Sequence, residues 1–162
     1  MKTLFILRHA KSDWDNRELT DFERPLNERG LKSAPLIGRV MKENQFLPYS
    51  IVSSPAIRAR QTAELVKESA GIESEILFDV RIYEASPARL LEVVADQTDN
   101  ADSMLLVGHN PGLEGLIRAL TGEIEPMPTA ALAVVDLQIE QWSDINSAPG
   151  SLRLLIRPKE IQ

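Results

Sequence analysis

The sequence predicts a single α/β domain of three layers, in which a mainly parallel central sheet with an antiparallel edge carries helices on both faces. Apolar runs with β-branched residues alternate with stretches of helical period, and this alternation is typical of strands joined by crossover helices. The last two apolar runs have no long helix between them, so we expect them to form the antiparallel edge. The length of 162 residues fits one domain over 1–162, because ~100–200 residues is the usual domain size.

Six strands are predicted from the apolar runs. In chain order they cover 3–7, 49–53, 75–78, 104–107, 132–138 and 152–156. The run over 75–78 is the weakest of the six. Their lengths of four to seven residues are typical of strands rather than helices.

Helices are predicted in the intervals between the strands. The first covers about 27–44 and places four apolar residues on one face: Leu31, Ala34, Ile37 and Met41. Three later helices are each expected to begin with a polar N-cap followed by proline, at Ser54-Pro55, Ser86-Pro87 and Asn110-Pro111. Glycine is expected to end two of them, at Gly71 and Gly122.

Composition and charge exclude several classes of function. The chain has no cysteine, so it has no disulfide framework, no thiolate metal site and no cysteine nucleophile. Its formal charge is -6, which argues against nucleic acid or an anionic membrane as a partner. No apolar run reaches the ~18 residues that span a bilayer, and Met1 leads into a short strand rather than a signal peptide, so we expect a cytoplasmic location.

The two histidines each follow a predicted strand. His9 stands in LFILRHAKS and His109 in MLLVGHNPG. Because ligands of open α/β sheets bind at the carboxyl ends of the strands, we expect the two rings to meet in one crevice. Arg8 precedes His9, and Arg58, in SPAIRARQTA, lies in the first turn of the helix after the second strand. Two guanidinium groups beside helix N-termini predict an anion site.

Each of these residues has an ordinary structural explanation when taken singly. A histidine after a strand is most often a loop residue, and an arginine on a helix is usually half of a weak ion pair. The placement of both histidines and both arginines at strand ends of one sheet edge nevertheless favours a functional site. A metal site built from His9, His109 and an acidic residue is conceivable, but two arginines would repel a divalent cation, so no metal is expected. The signatures of P-loop, dinucleotide-binding and serine-hydrolase sites do not occur in the sequence.

The segment over 11–25 is a long polar connection of a kind that is often functional. Its Asp13-Trp14-Asp15 is similar to the paired aspartates of aspartyl-phosphate enzymes, but it falls several residues after the strand end, so we interpret it as a solvated loop. Four basic residues are candidates for a rim around the cleft: Lys11, Arg17, Arg24 and Arg29. The interleaved acids favour a solvated loop here as well.

Three ordered motifs, LFILRHAKS, SSPAIRARQTA and LLVGHNPG, resemble the histidine phosphatase superfamily, also called phosphoglycerate mutase-like, over most of the chain. RHAKSDWD, DFERPLNERG and MPTAALAVV further resemble the SixA-type phosphohistidine phosphatases. The resemblance implies a metal-independent phosphatase that uses a phosphohistidine enzyme intermediate and no cofactor.

By this resemblance His9 is the nucleophile, Arg8 and Arg58 bind the phosphoryl oxygens, and His109 completes the pocket and stabilises the transition state. Ser12 also matches the family and is a candidate for a minor phosphate contact. A neutral imidazole is a good nucleophile near its ordinary pKa of ~6.5. Preorganised cations then stabilise the charge on the phosphoryl oxygens.

The general acid is left open. His109 is followed by Asn110, where the acid-phosphatase branch of the family carries an aspartate as proton donor. Glu84, in RIYEASP, lies near the position of the glutamate in the mutase-like branch and is the candidate, although a solvated loop glutamate or a helix N-terminal anion is an equal alternative. Asp79 and Asp21 are weaker candidates. A leaving imidazole with a pKa of ~6.5 needs little proton assistance.

The chain lacks long insertions other than 11–25, so we expect an open cleft. Such a cleft admits a phosphohistidine displayed on a protein, such as a phosphotransfer domain or a sugar-transport phosphocarrier. A phosphatase of small phosphorylated substrates and a non-catalytic module that binds phospho-ligands are the alternatives. The sequence leaves the oligomeric state open.

Overall fold

Six strands form one mixed sheet in the protein, described by a computed structural model that covers residues 1–147 and 149–161. They are β1 (Lys2–Arg8), β2 (Ser50–Ser53), β3 (Ile76–Phe78), β4 (Ser103–Gly108), β5 (Leu132–Leu137) and β6 (Gly150–Ile156). The order in the sheet is β3-β2-β4-β1-β5-β6. The first four strands in this order form three parallel pairs, whereas β5 pairs antiparallel with both β1 and β6. The predicted mixed sheet with an antiparallel edge is therefore confirmed.

Four α-helices connect the strands within the described ranges. They are α1 (Glu28–Glu43), α2 (Ile57–Ala70), α3 (Pro87–Ala95) and α4 (Gly112–Thr121). The chain moves from β1 through β2 to β3 in one direction along the sheet and then returns to β4. Because right-handed crossovers in opposite directions lie on opposite faces, α1 and α2 cover one face while α3 and α4 cover the other. In this described part of the chain, no helix is long and apolar enough to cross a membrane.

The strand β1 is buried from both sides. Its alternate residues Leu4 and Ile6 pack with α3 and α4, while Phe5 and Leu7 pack with α1 and α2. Burying such side chains contributes roughly 1.5–3 kcal/mol each to folding. The end of β1 is therefore a fixed point from which the chain enters the loop that follows.

The predicted strand ends agree with the observed ones to within two residues. One helix start is also confirmed, because Ser86 caps α3 by accepting a hydrogen bond from the Arg89 N–H. The prediction that Ser54 caps α2 is wrong. The helix begins at Ile57, and its N-cap is Ala56, whose methyl side chain cannot accept a hydrogen bond; the Ser54 hydroxyl accepts one from the Ala56 N–H, before the helix, and contacts His109.

Two further helix predictions need correction. The helix α4 begins at Gly112 rather than at Pro111, although the Asn110 side chain does accept a hydrogen bond from the backbone N–H of Glu114. In α1, Leu31 is 48% exposed, whereas Ala34, Ile37 and Met41 are buried as predicted. The buried face of α1 is completed instead by glycines, which allow the helix to approach its neighbours closely.

The carboxyl ends of β2, β4 and β1 lie side by side. Arg8 is in register with Gly108, and the next backbone N–H, that of His9, donates to the Gly108 carbonyl at 3.0 Å. On the other side of β4, the Ser54 N–H donates to the Val107 carbonyl at 3.0 Å. The residues that follow these three strands are therefore neighbours at one edge of the sheet.

The loop after β1 is tied to the start of α1. The N–H of Asn27 donates to the Lys11 carbonyl at 2.9 Å, and Asp13 N–H donates to the Pro25 carbonyl at 2.8 Å. A Cβ at Gly30 would lie 2.2 Å from the Lys11 carbonyl oxygen, so only glycine permits this approach. The loop consequently has a defined position beside the sheet edge.

Candidate active site

A pocket of about 300 Å³ opens at the carboxyl ends of the strands. Its lining comprises Arg8, His9, Lys11, Ser12, Trp14, Arg24, Arg58, His109, Asn110 and Thr129. The rings of His9 and His109 lie 5.2 Å apart between centroids. The structure therefore brings five of the six residues selected from the sequence into one pocket, and the sixth, Glu84, lies outside it.

The His9 ring is buried and held by a backbone carbonyl. Its Nδ1 lies 2.7 Å from the Ala10 carbonyl oxygen. Because a carbonyl only accepts hydrogen bonds, Nδ1 carries the proton, and the lone pair of the neutral ring is on Nε2. The Ala10 N–H in turn donates to the Thr62 hydroxyl at 2.9 Å, which helps to fix the residue whose carbonyl holds the ring.

Burial keeps His9 uncharged. It lowers the pKa of His9 to about 3, and the nearby His109, Arg58 and Arg8 add to the shift, while the hydrogen bond to Ala10 opposes it. The ring is therefore neutral at any pH near 7. An unprotonated imidazole with its lone pair on a defined atom is the form that acts as a nucleophile.

The His109 ring is held by a serine from the neighbouring strand end. Its Nε2 lies 2.8 Å from the Ser54 hydroxyl oxygen. Burial, followed by the charge of Arg58, lowers the pKa of His109 to about 4. The ring of Tyr83 meets His109 edge-on with centroids 5.6 Å apart. His109 is thus a neutral hydrogen-bonding group in the pocket near pH 7.

The two arginines predicted from the sequence are fixed by different partners. Arg8 Nη1 donates to the Met127 carbonyl at 3.0 Å, and Arg58 Nη1 donates to the Asp21 carbonyl at 2.7 Å. Within residues 1–147 and 149–161, Arg8 Nε, Arg58 Nε and His109 Nδ1 are buried without a hydrogen-bond partner. Buried polar atoms are rarely left unsatisfied. Their concentration in one pocket suits a ligand with several acceptor oxygens, such as a phosphoryl group.

Asp21 connects the pocket arginines to the loop after β1. Its carboxylate accepts hydrogen bonds from Arg58 Nη2 at 3.0 Å, Arg24 Nη2 at 2.6 Å and the Tyr83 hydroxyl at 2.6 Å. Although burial favours the neutral acid, the bonds from Tyr83, Arg24 and Arg58 hold the pKa of Asp21 well below its usual range. Asp21 is consequently an ionised anchor for Arg58 and is unsuited to the role of proton donor.

Of the four basic residues interpreted as solvated, Lys11, Arg17 and Arg29 are exposed as predicted, but the prediction is wrong for Arg24. Its side chain is 8% exposed, and its Nη1 donates to the Ser12 hydroxyl at 3.1 Å. Ser12 itself is buried beside the pocket. Trp14 packs over the Arg24 guanidinium with 3.2 Å between the guanidinium carbon and the ring centroid. The separation of three residues between Asp21 and Arg24 in DFER is the one feature of the sequence that indicates their ion pair.

The candidate acids lie outside the pocket. Glu84 is exposed and lines a neighbouring groove of about 570 Å³ together with His109 and Asn110. It adopts a positive φ of 54°, a conformation that is uncommon for residues other than glycine. Hydrogen bonds from Arg81 lower the pKa of Asp79, so this carboxylate stays ionised. The role of Glu84 as general acid stays a prediction.

No group of three or more His, Cys, Asp or Glu side chains is arranged to hold a metal ion in the part of the chain that the structure describes. The charged side chains that line the pocket with His9 are all cationic, and three of the four are the guanidinium groups of Arg8, Arg24 and Arg58. They match an anion in sign and in hydrogen-bonding geometry.

Comparison with known proteins places these residues in a family. The family model of the histidine phosphatase superfamily (branch 1) matches residues 4–86. An uncharacterised protein of Mycobacterium tuberculosis is 31% identical over 160 residues, which cover 92% of this chain and 96% of the relative. The chain belongs to the histidine phosphatase superfamily. The resemblance seen in the sequence motifs is therefore confirmed.

Solved structures of this superfamily share the whole fold. SixA of Agrobacterium tumefaciens, a proposed phosphohistidine phosphatase, is 30% identical with a TM-score of 0.84, covering 97% of this chain and 98% of that one. The protein histidine phosphatase SixA in complex with tungstate is 24% identical with a TM-score of 0.82, covering 99% of each chain. The second likeness concerns the fold alone. Together they confirm the predicted phosphoglycerate mutase-like architecture.

The protonation of the two rings is directly measurable, because His9 and His109 are the only histidines of the chain. Since burial lowers their pKa values to about 3 and about 4, we expect neither ring to titrate between about pH 5 and pH 8. Imidazole NMR signals recorded against pH test this, with the His9→Gln variant for assignment. In urea both rings should titrate near ~6.5. A folded-state midpoint near that value for either ring would contradict the description of the pocket.

Proposed function

We propose that the protein is a metal-independent phosphatase that hydrolyses phosphoryl groups through a phosphorylated His9 intermediate. The observation that carries the proposal is the hydrogen bond of 2.7 Å between His9 Nδ1 and the Ala10 carbonyl, which leaves the nucleophilic lone pair on Nε2. This nitrogen belongs to a buried ring in a pocket that also contains Arg8 and Arg58. The arrangement fits attack on a bound phosphoryl group.

In the first step the His9 Nε2 lone pair forms a bond to phosphorus while the bond from phosphorus to the leaving group breaks. Charge on the three equatorial oxygens is stabilised by Arg8, Arg58 and His109. The His9 ring gains positive character as the new bond forms. Its Nδ1 proton stays in place, and the hydrogen bond to Ala10 becomes charge-assisted and therefore stronger.

In the second step water attacks the phosphorus of phospho-His9 and the bond to Nε2 breaks. Orthophosphate leaves, and a proton of the water passes to phosphate or to solvent. His9 returns as the neutral imidazole, which is its stable form because burial lowers its pKa. The same environment thus supports His9 as a nucleophile and as a leaving group.

The surroundings of the pocket favour a phosphohistidine displayed on a protein as the substrate. Grooves of about 670 Å³ and about 570 Å³ adjoin the pocket, and they share Trp14 and His109 with it, respectively. An open surface of this kind accepts a folded partner. We propose a cytoplasmic phosphotransfer domain or phosphocarrier as the partner class, in agreement with the likeness to SixA over nearly the whole chain.

The proposed intermediate is tested by rapid-quench labelling with a ³²P-labelled phosphohistidine protein. Wild type should acquire label that is lost in acid and kept in base, because phosphohistidine has this stability. The His9→Ala variant should acquire no label and lose turnover by at least about 1,000-fold, since the nucleophile is gone. The Ser74→Ala variant, which removes a hydrogen bond to the Tyr49 carbonyl before β2, away from the pocket, is the control and should label like wild type.

Three results of the labelling experiment would overturn the proposed mechanism. One is turnover of wild type without an acid-labile label. Another is full activity of His9→Ala. The third is loss of activity after chelation of divalent metals, which would favour a metallohydrolase instead.

The role of Glu84 is tested by varying the leaving group. Glu84→Gln should lower kcat/KM by about tenfold or more on alkyl phosphoesters, because an alkoxide needs a proton as it departs. On phosphohistidine the loss should stay below about threefold, since imidazole leaves readily. Steady-state rates on both substrates, with a Glu92→Gln variant at an exposed position of α3 as control, provide the measurement. Equal losses on the two substrates, or none on either, would remove Glu84 as the acid.

A further inference from the structure

Burial defines which end of the pocket holds the nucleophile and which end faces solvent. His9 is 7% exposed and Arg58 is 6% exposed, so they form the base of the pocket. Trp14 is 68% exposed, and Lys11 is also exposed, so these two residues stand at the mouth. In phosphoryl transfer the nucleophile and the leaving group lie on opposite sides of phosphorus. A leaving group displaced by His9 therefore points towards the mouth and Trp14.

Trp14 is held in a fixed place although most of its ring is in solvent. One face of the ring packs on Arg24, whose guanidinium plane is set by hydrogen bonds to Ser12 at 3.1 Å and to Asp21 at 2.6 Å. The same Asp21 carboxylate accepts a bond from Arg58. The position of the Trp14 ring is thus coupled to the position of the guanidinium that faces the phosphoryl group.

The exposed part of Trp14 offers an aromatic surface to a leaving group. Stacked or edge-on pairs of aromatic rings are stabilised beyond the area that they bury, whereas a leaving ammonia or a small alkoxide gains nothing comparable. Trp14 also lines the adjoining groove beside Leu31, which is 48% exposed. The groove that adjoins the mouth of the pocket therefore combines the apolar side chains of Trp14 and Leu31 with charged ones, and a polypeptide attached to the leaving ring would lie in it.

We infer that Trp14 is a specificity-determining residue that contacts the imidazole ring of a phosphohistidine substrate on the leaving-group side. The inference rests on the proposed function and deepens it, because it assigns recognition of the leaving group to one side chain. The platform formed by Trp14 on Arg24 selects an aromatic leaving group over a non-aromatic one at the same type of phosphorus–nitrogen bond.

The test compares two substrates that differ in the leaving group. A phosphohistidine peptide releases imidazole, whereas phosphoramidate releases ammonia from the same type of bond. For Trp14→Ala we expect kcat/KM to fall about tenfold on the peptide and at most about threefold on phosphoramidate, as the stacking energy converts to rate. Trp14→Phe should recover most of the loss. Tyr49→Ala removes an aromatic residue that is 59% exposed just before β2, at the opposite edge of the sheet, and serves as control.

The outcomes separate this inference from the proposed function. A selective loss on the peptide that Trp14→Phe restores supports the inference. Equal losses on the two substrates would show that Trp14 only supports Arg24, and no loss on either would show that it is idle; both results overturn the inference while wild type still forms phospho-His9. Absence of turnover and of acid-labile label in wild type would instead overturn the proposed function. Thermal unfolding midpoints within about 2 °C of wild type establish that the variants fold.

Discussion

Parallel pairing of β1 with β4 is the constraint on which the pocket depends. It places the residue after Arg8 beside the residue after Gly108, so two histidines that are far apart in the chain face each other at 5.2 Å. β2 pairs with the other side of β4 and supplies Ser54, which holds the second ring. Since β1 and β4 are buried on both faces, this register is fixed by the hydrophobic core. The two histidines are thus positioned by backbone pairing, whereas Arg58 is held by Asp21 of the loop after β1.

Burial and charge then determine what these groups do. A solvent-exposed imidazole would be partly protonated near its ordinary pKa of ~6.5. In the pocket the low pKa values of His9 and His109 keep both rings neutral, while the guanidinium groups retain the positive charge that attracts an oxyanion. The ionised Asp21 anchors one of these guanidinium groups and neutralises part of its charge. The nucleophile has to be neutral, whereas the groups that bind the anion have to be charged. The pocket meets both requirements because they fall on separate side chains in different environments.

The fold and the central pocket residues follow from local patterns, whereas the surrounding contacts depend on tertiary structure. Hydrophobic periodicity predicts the strands, and the rule that ligands bind at strand carboxyl ends selects His9 and His109 before any coordinates are known. The Ser86 cap is predictable because its hydrogen bond joins two residues of the same helical turn. The contact of Ser54 with His109 is not predictable, since it joins residues that are far apart in the chain. The burial of Arg24 likewise depends on how the loop folds over Ser12, which composition and spacing leave undetermined.

The proposed reaction requires two imidazoles and two guanidinium groups to surround one tetrahedral anion, with His9 Nε2 as the attacking atom. A crystal structure with orthovanadate tests it most directly, because vanadate adopts the geometry of phosphoryl transfer. We expect vanadium bonded to Nε2 of His9, with its equatorial oxygens in hydrogen-bond contact with Arg8, Arg58 and His109. Vanadate bound at another surface, or in contact with the arginines while His9 lies out of bonding distance, would contradict it.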